Sequence, residues 1–146
     1  MKKILSKLVL FGFIAVILLA LLIQLIPFGR NHTNPPVSSE PNWDSPQTRE
    51  LAKRACFDCH SNETVWPWYS NVAPVSWLVY RDVEEGRRRL NFSTWNSSRH
   101  EETGEIIEVV QSGRMPMPIY LIQHPEAKLT AAEKQALIDG LRNSLR

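Results

Sequence analysis

Cys56-Phe57-Asp58-Cys59-His60 is the stretch on which the reading of this chain turns. Two cysteines separated by two residues, with a histidine directly after, form the C-x-x-C-H attachment site for c-type haem. The order follows from the chemistry. Each thiol adds across one vinyl group of the porphyrin and leaves a thioether, and the spacing lets both sulfurs reach the same porphyrin edge. His60 then supplies an imidazole nitrogen as the proximal iron ligand. The chain has 2 cysteines and both lie in this motif. The expected cofactor is therefore one covalent haem c.

Other chemistries use the same pair. A thioredoxin-like dithiol calls for a βαβ setting, and no alternation of strand and helix is visible. A structural zinc needs about four ligands, so His32, His100 or His124 would have to join Cys56, Cys59 and His60, and none stands at a familiar spacing. A plain disulfide across two residues closes too small a loop to stabilise much.

The N-terminus bears on compartment. Lys2, Lys3 and Lys7 are cationic, and no charge follows from Leu8 to Gly29. An apolar stretch of about 20 residues is long enough to span a bilayer. Gln24-Leu25-Ile26-Pro27-Phe28 offers no small-x-small cleavage site. Residues 1–29 therefore read as an uncleaved transmembrane signal anchor. The lysines precede the helix, which predicts a cytoplasmic N-terminus and an extracytoplasmic remainder. The expected location is the bacterial inner membrane, single-pass, with the haem domain in the periplasm, where c-type haem is attached.

Residues 30–42, with Pro35, Pro36 and Pro41 among polar neighbours, read as an extended tether with His32 exposed in it. Residues 43–146 are long enough for one small domain. The whole chain carries 17 basic and 15 acidic residues, a net charge of +2. Without the three anchor lysines the remainder is near −1, which argues against nucleic acid as a partner. Arg87-Arg88-Arg89 is the one basic cluster. Most such runs are solvated helix faces. The sharper reading gives Arg87 a haem propionate, because a guanidinium fork suits a carboxylate.

Within the domain the patterns are helical. Asp44 or Ser45 caps a first helix, with Pro46 in its first turn and Gln47 placed for a capping box with Asp44, and this helix runs into the haem motif. A second helix extends from Ser76 towards Leu90, with Gly86 as a weak point. A third covers Glu101 to Ser112 and stops at Gly113. The last starts at Thr130, whose T-x-x-E box ends on Glu133, and carries Ala136, Leu137, Leu141 and Leu145 as its stripe. The predicted fold is all-α: a small cytochrome c-like helical domain around one covalent haem, which serves as the object on which short helices pack, preceded by a single transmembrane helix.

Met115-Pro116-Met117-Pro118 lies between the last two helices. A thioether in a proline-stiffened loop suits the distal side of the iron. Met115 is the preferred ligand. Met117 is the alternative, expected to point elsewhere if the segment is extended. Core filling is the plain reading of either, and His100 and His124 are rival ligands. His/Met ligation raises the reduction potential and favours electron transfer. Trp66, Trp68, Tyr69, Trp77, Trp95 and Tyr120 are expected to pack around the macrocycle, with their N–H and O–H groups paired.

Taken together, Pro35-Pro36, Trp43, Cys56 to Asn62, Trp66-Pro67-Trp68-Tyr69, Pro74-Val75-Ser76-Trp77, Gly86-Arg87, Leu90-Asn91-Phe92-Ser93, Trp95, Met115-Pro116, Tyr120, His124-Pro125 and Leu129-Thr130 resemble the bacterial haem-binding domain family with a cytochrome c-like motif. The resemblance covers nearly everything after the anchor. In that family Met-Pro follows a glycine and precedes a tyrosine, which maps onto Gly113, Met115, Pro116 and Tyr120; Met117 departs from the pattern. The resemblance implies haem c binding and electron transfer.

The expected function is that of a membrane-anchored monohaem c-type cytochrome, a one-electron carrier rather than an enzyme, working with a redox partner protein. The alternatives are a haem-based gas or redox sensor and a small haem peroxidase, both of which need an open sixth iron position. The only cytoplasmic part is a few residues, which counts against a sensor.

Overall fold

The computed structural model describes residues 2–96 and 103–145. His100 and the expected start of the third helix at Glu101 lie outside the described residues. Among those described there are seven α-helices and no strand, with one isolated bridge between Ser39 and Thr94. The chain forms two compact units: Met1–His32 with Trp66–Arg81, and Thr33–Val65 with Asp82–Arg146.

The first unit contains α1, Lys2–Ile23. Its 20-residue apolar part, Ile4–Ile23, is long enough to cross a membrane at about 1.5 Å per residue. Large side chains from Ile4 to Leu22 are exposed on every face. Beyond α1 the chain turns through Gly29. The unit also holds a 3-10 turn at Trp68–Asn71 and the start of α4, Val75–Arg89. His32 is not exposed as expected. Its ring stacks on Trp66 at 4.5 Å, and its Nε2 lies 3.1 Å from the Ser70 carbonyl. An imidazole brings both a flat apolar face and a polar edge, and this site uses both.

The second unit contains α2 (Pro46–Ala55), α3 (Phe57–His60), the end of α4, α5 (Thr103–Gln111), α6 (Pro118–Gln123) and α7 (Ala131–Ser144). Ser45 caps α2 by accepting from Thr48 N, so the box expected between Asp44 and Gln47 is not what starts this helix. Thr130 caps α7 with both arms of its box formed. Gly113, at φ +73, ends the chain's run through α5. α2 and α5 both pack on α7.

These helices have a core of their own. Leu51, Phe57, Phe92, Val110, Leu137 and Leu141 are buried together, with Trp43 laid against Phe57 and Phe92. The expectation that short helices here would pack only on a cofactor is thus corrected: apolar faces of α2, α3, α5 and α7 bury one another first.

Residues 33–42 form no helix, and their backbone is bound to the second unit rather than free as a tether would be. Ser38 and Ser39 N–H groups donate to Ser93 O (2.9 and 3.2 Å), Trp95 N donates to Ser39 O (3.1 Å), and Asn62 donates to Pro36 O (3.0 Å). The segment lacks large apolar side chains, but its backbone keeps a donor and an acceptor at most residues, and those bind it to the unit.

Candidate functional site

α2 stops at Ala55 because Cys56 leaves helical geometry (φ −130°, ψ −33°), and a new single turn, α3, carries Phe57 to His60. Residues 56–60 are therefore a separate turn rather than the end of the preceding helix. This break sorts the motif's side chains. Phe57, 2 % exposed, enters the core and stacks on Phe92 at 5.6 Å. Cys56, Cys59 and His60 face a common cavity of about 310 Å³. That volume is at the lower edge of small-molecule pockets and far above the share of one water molecule.

The two thiols are not bridged to each other. Burial pushes both up to about 12, with Cys59 adding to the shift at Cys56, and Asp58 and Asp82 adding to that at Cys59. They stand as neutral S–H groups. Among the described residues, no three His, Cys, Asp or Glu side chains converge to hold a metal ion.

His60 is oriented by backbone. Its Nδ1 lies 3.1 Å from both the Gly86 and the Leu90 carbonyls. Carbonyls only accept, so Nδ1 carries the proton and Nε2 is the basic nitrogen. This is the arrangement in which a backbone carbonyl fixes the tautomer of a metal-bound histidine. The carbonyls reach His60 because α4 comes very close to the motif. A Cβ at position 86 would stand 2.4 Å from Cys59 O and 3.0 Å from Cys59 Cβ. Only glycine fits there, which explains its presence inside a continuous helix.

A buried polar network braces the motif from the far side. Phe92 N donates to His60 O (2.8 Å), and Asn62 N donates to Ser93 Oγ (2.9 Å). Asn91 Nδ2 donates to Asn62 Oδ1 (2.9 Å), while Ser93 N donates to Asn91 Oδ1 (2.9 Å). Each of these donors and acceptors is satisfied by another member, which makes the network rigid rather than costly.

The opposite side of the cavity comes from α5 and the loop after it. Ile106, Val109 and Val110 supply apolar lining, and Met115, Pro116 and Met117 all face in. Met117 was expected to point elsewhere. The chain bends at Met115 and Pro116 instead of running extended, so the alternation of a strand does not apply and both thioethers reach the same space. α6, which begins at Pro118, was not expected from the sequence. It brings Tyr120 to the cavity, where the phenol donates to Asp58 Oδ2 at 2.7 Å. Burial first, then the Asp58 contact, holds the Tyr120 hydroxyl far above its usual range, so it remains a donor. Asp58 Oδ1 also accepts from Val65 N (2.9 Å). The middle of the haem motif is thus tied to the methionine loop.

Arg87 does not line the cavity. Its guanidinium donates to Ser61 O (2.8 Å), Thr33 O (3.0 Å), Asn34 Oδ1 (2.9 Å) and Thr64 Oγ1 (3.0 Å). The arginines that line it are Arg89 and Arg114, ion-paired with Glu85 and Glu108. Nor is His124 among the lining residues: it stacks on Tyr120 at 4.1 Å, with Nδ1 3.2 Å from Glu126.

The sequence carries no sign of the Asp58 carboxylate's contacts or of the bonds that join Asn62, Asn91 and Ser93. Tyr120 is legible there only as an aromatic with a hydroxyl to pair, and Gly86 only as a glycine inside a helical pattern. A search of curated proteins and one of solved structures each found no match. The sequence model of the haem-binding domain family matches residues 18–143, the last six residues of α1 and all of the cavity's walls included, and the chain belongs to that family.

Proposed function

We propose that this haem-binding protein is a monohaem c-type cytochrome. It is anchored by α1 in a bacterial inner membrane with its second unit on the periplasmic side, and it carries single electrons to or from a partner protein. One observation carries the reading: an imidazole whose Nδ1 is held by two carbonyls, with two buried thiols on the same wall and two thioethers on the facing loop. The residues fit the group. Cys56 and Cys59 would hold it through thioethers, His60 Nε2 is the basic nitrogen that would bind its iron, and Met115, with Met117 as its alternative, would supply a thioether sulfur. Bound haem supplies an iron that passes between ferric and ferrous states.

The chain's own residues do the rest. Ile106, Val109 and Val110 keep water from the apolar face. The carbonyls of Gly86 and Leu90 keep His60 in one tautomer and one orientation. The Tyr120–Asp58 bond holds the methionine loop against the motif, which matters because a thioether is a weak ligand. Arg89 and Arg114 line the cavity with side chains more than half exposed and suit the haem carboxylates. A bound haem held by His60 and a methionine would leave no place on the iron for a substrate, and the function would be transfer rather than catalysis.

The test is covalency. The full chain, expressed with c-type maturation, should keep its haem on a denaturing gel and through acidified-solvent extraction. Cys56→Ala with Cys59→Ala should release it. Haem extracted from the wild-type chain would contradict the proposal.

A further inference from the structure

The first unit contains no acidic residue. All 15 of the chain's acidic residues lie in the second. From Trp66 to Tyr80 there is no charge of either sign, and five of these residues are Trp or Tyr. An uncharged aromatic run is ordinarily buried, but here part of it faces outward. Trp68 is 79 % exposed, Leu78 is 58 % exposed, and Val72 and Val75 are exposed with them.

This run is fastened to the end of the apolar helix. The Gln24 side chain takes both backbone groups of Ala73, donating to its carbonyl at 2.9 Å and accepting from its N–H at 3.0 Å. Phe28 meets the Tyr80 ring edge-on at 5.5 Å. Gly29 sits so close to α4 that a Cβ would stand 2.7 Å from Ser76 O, and its φ of +76° also calls for glycine. The run is thus fastened to the chain just where the helix ends, and Leu25 and Ile26 at that end are themselves exposed.

We infer that Trp68–Leu78 is a second membrane contact, a short monotopic element lying in the headgroup and upper acyl region of the leaflet where α1 emerges. The inference rests on the proposal that α1 spans the membrane. The chemistry is that of an interface. Tryptophan and tyrosine gather where one end of a side chain is apolar and the other wet. Isolated soluble surfaces seldom show a contiguous patch of this kind. Within the first unit the charges tied closest to the patch, Arg30 through Gln24 and Arg81 next to Tyr80, are both positive and suit anionic phospholipid. Continuity with the spanning helix selects the bilayer as the occupant.

The test uses the full haem-loaded chain in vesicles of phosphatidylethanolamine and phosphatidylglycerol. A benzophenone amino acid replaces, one at a time, Leu18, Trp68, Leu78 and the exposed Ile122 of the second unit. After irradiation, mass spectrometry identifies what each position has captured. Lipid adducts are expected at Leu18, Trp68 and Leu78, with at least tenfold less at Ile122. Adducts at Leu18 without adducts at Trp68 and Leu78 overturn the inference and leave the anchor intact. Crosslinks from Trp68 to protein give the patch to a second copy or a partner and overturn it. Equal lipid capture at Ile122 overturns it, because the contact would not be specific. No lipid at Leu18 removes the anchor and the inference with it.

Discussion

Trp68 in the first unit is 79 % exposed, and Phe57 in the second is 2 % exposed. The first unit has five basic residues and no acidic one. The second has 12 of the 17 basic residues and all 15 acidic ones. Aromatic side chains are plentiful in both, so composition alone does not separate them. What separates them is where charge is allowed. In the second unit, charged groups surround a buried core, and ion pairs such as Arg54–Glu133 and Arg49–Glu40 sit among its helices. In the first, the exposed stretches 8–29 and 66–80 carry no charge at all. A water-facing surface needs charge and a lipid-facing one excludes it, and the proposed membrane contacts follow that rule.

Substitutions can break or sharpen this contrast. The largest effect is expected at Phe57→Ala, which empties the centre of the second unit's core and should cost about 3–5 kcal/mol in denaturant unfolding. Gly86→Ala comes next. Its methyl would press on Cys59 backbone, so helix and motif must part at a cost of about 1–3 kcal/mol. The carbonyl bonds to His60 would lengthen too, and the yield of covalent haem should fall. Tyr120→Phe removes the donor to Asp58 and should cost about 1–2 kcal/mol. If the methionine loop is held by that bond, the reduction potential should shift as well; an unchanged potential would show that the loop holds itself.

Thr130→Ala should cost about 1 kcal/mol by uncapping α7. The box also predicts a pH dependence. The Thr130 backbone N–H and then Arg54 hold the Glu133 carboxyl at about 2, below its ordinary 4.5. A carboxyl lowered in the fold stabilises above its unfolded value and loses that contribution as pH falls through its folded one. Stability contributed by Glu133 should be intact above about pH 4.5 and fade towards pH 2, and Glu133→Gln should flatten that slope. The smallest effect is expected at Trp68→Ala, under about 0.5 kcal/mol in detergent, because this side chain has little protein to lose. A cost like that of Phe57→Ala would erase the contrast between the units.

Much of this architecture was legible where the signal is local. The turn over residues 56–60 that faces the cavity, the Thr130–Glu133 box, the span of α4 and the apolar N-terminal helix all declare themselves within a few residues. What escaped depends on partners far apart in sequence. Asp58 and Tyr120 are 62 residues apart and Asn62 and Asn91 are 29 apart, and hydrogen bonds of that kind leave no periodicity. Gly86 was visible as an oddity, but its reason, the backbone of Cys59, was not. The tether misled because side chains were weighed and backbone groups were not. Arg87 misled because its neighbours in sequence do not reveal the four acceptors that it meets.

The central claim is that the iron is held on both faces by this chain's own side chains. The most direct measurement is the optical spectrum of the haem-loaded full chain, ferric and ferrous, with and without carbon monoxide. The account predicts a low-spin spectrum with a weak far-red sulfur-to-iron band, lost in Met115→Ala and unmoved by carbon monoxide in the wild type. A high-spin spectrum or ready carbon monoxide binding would contradict it and point to an open iron that senses or catalyses.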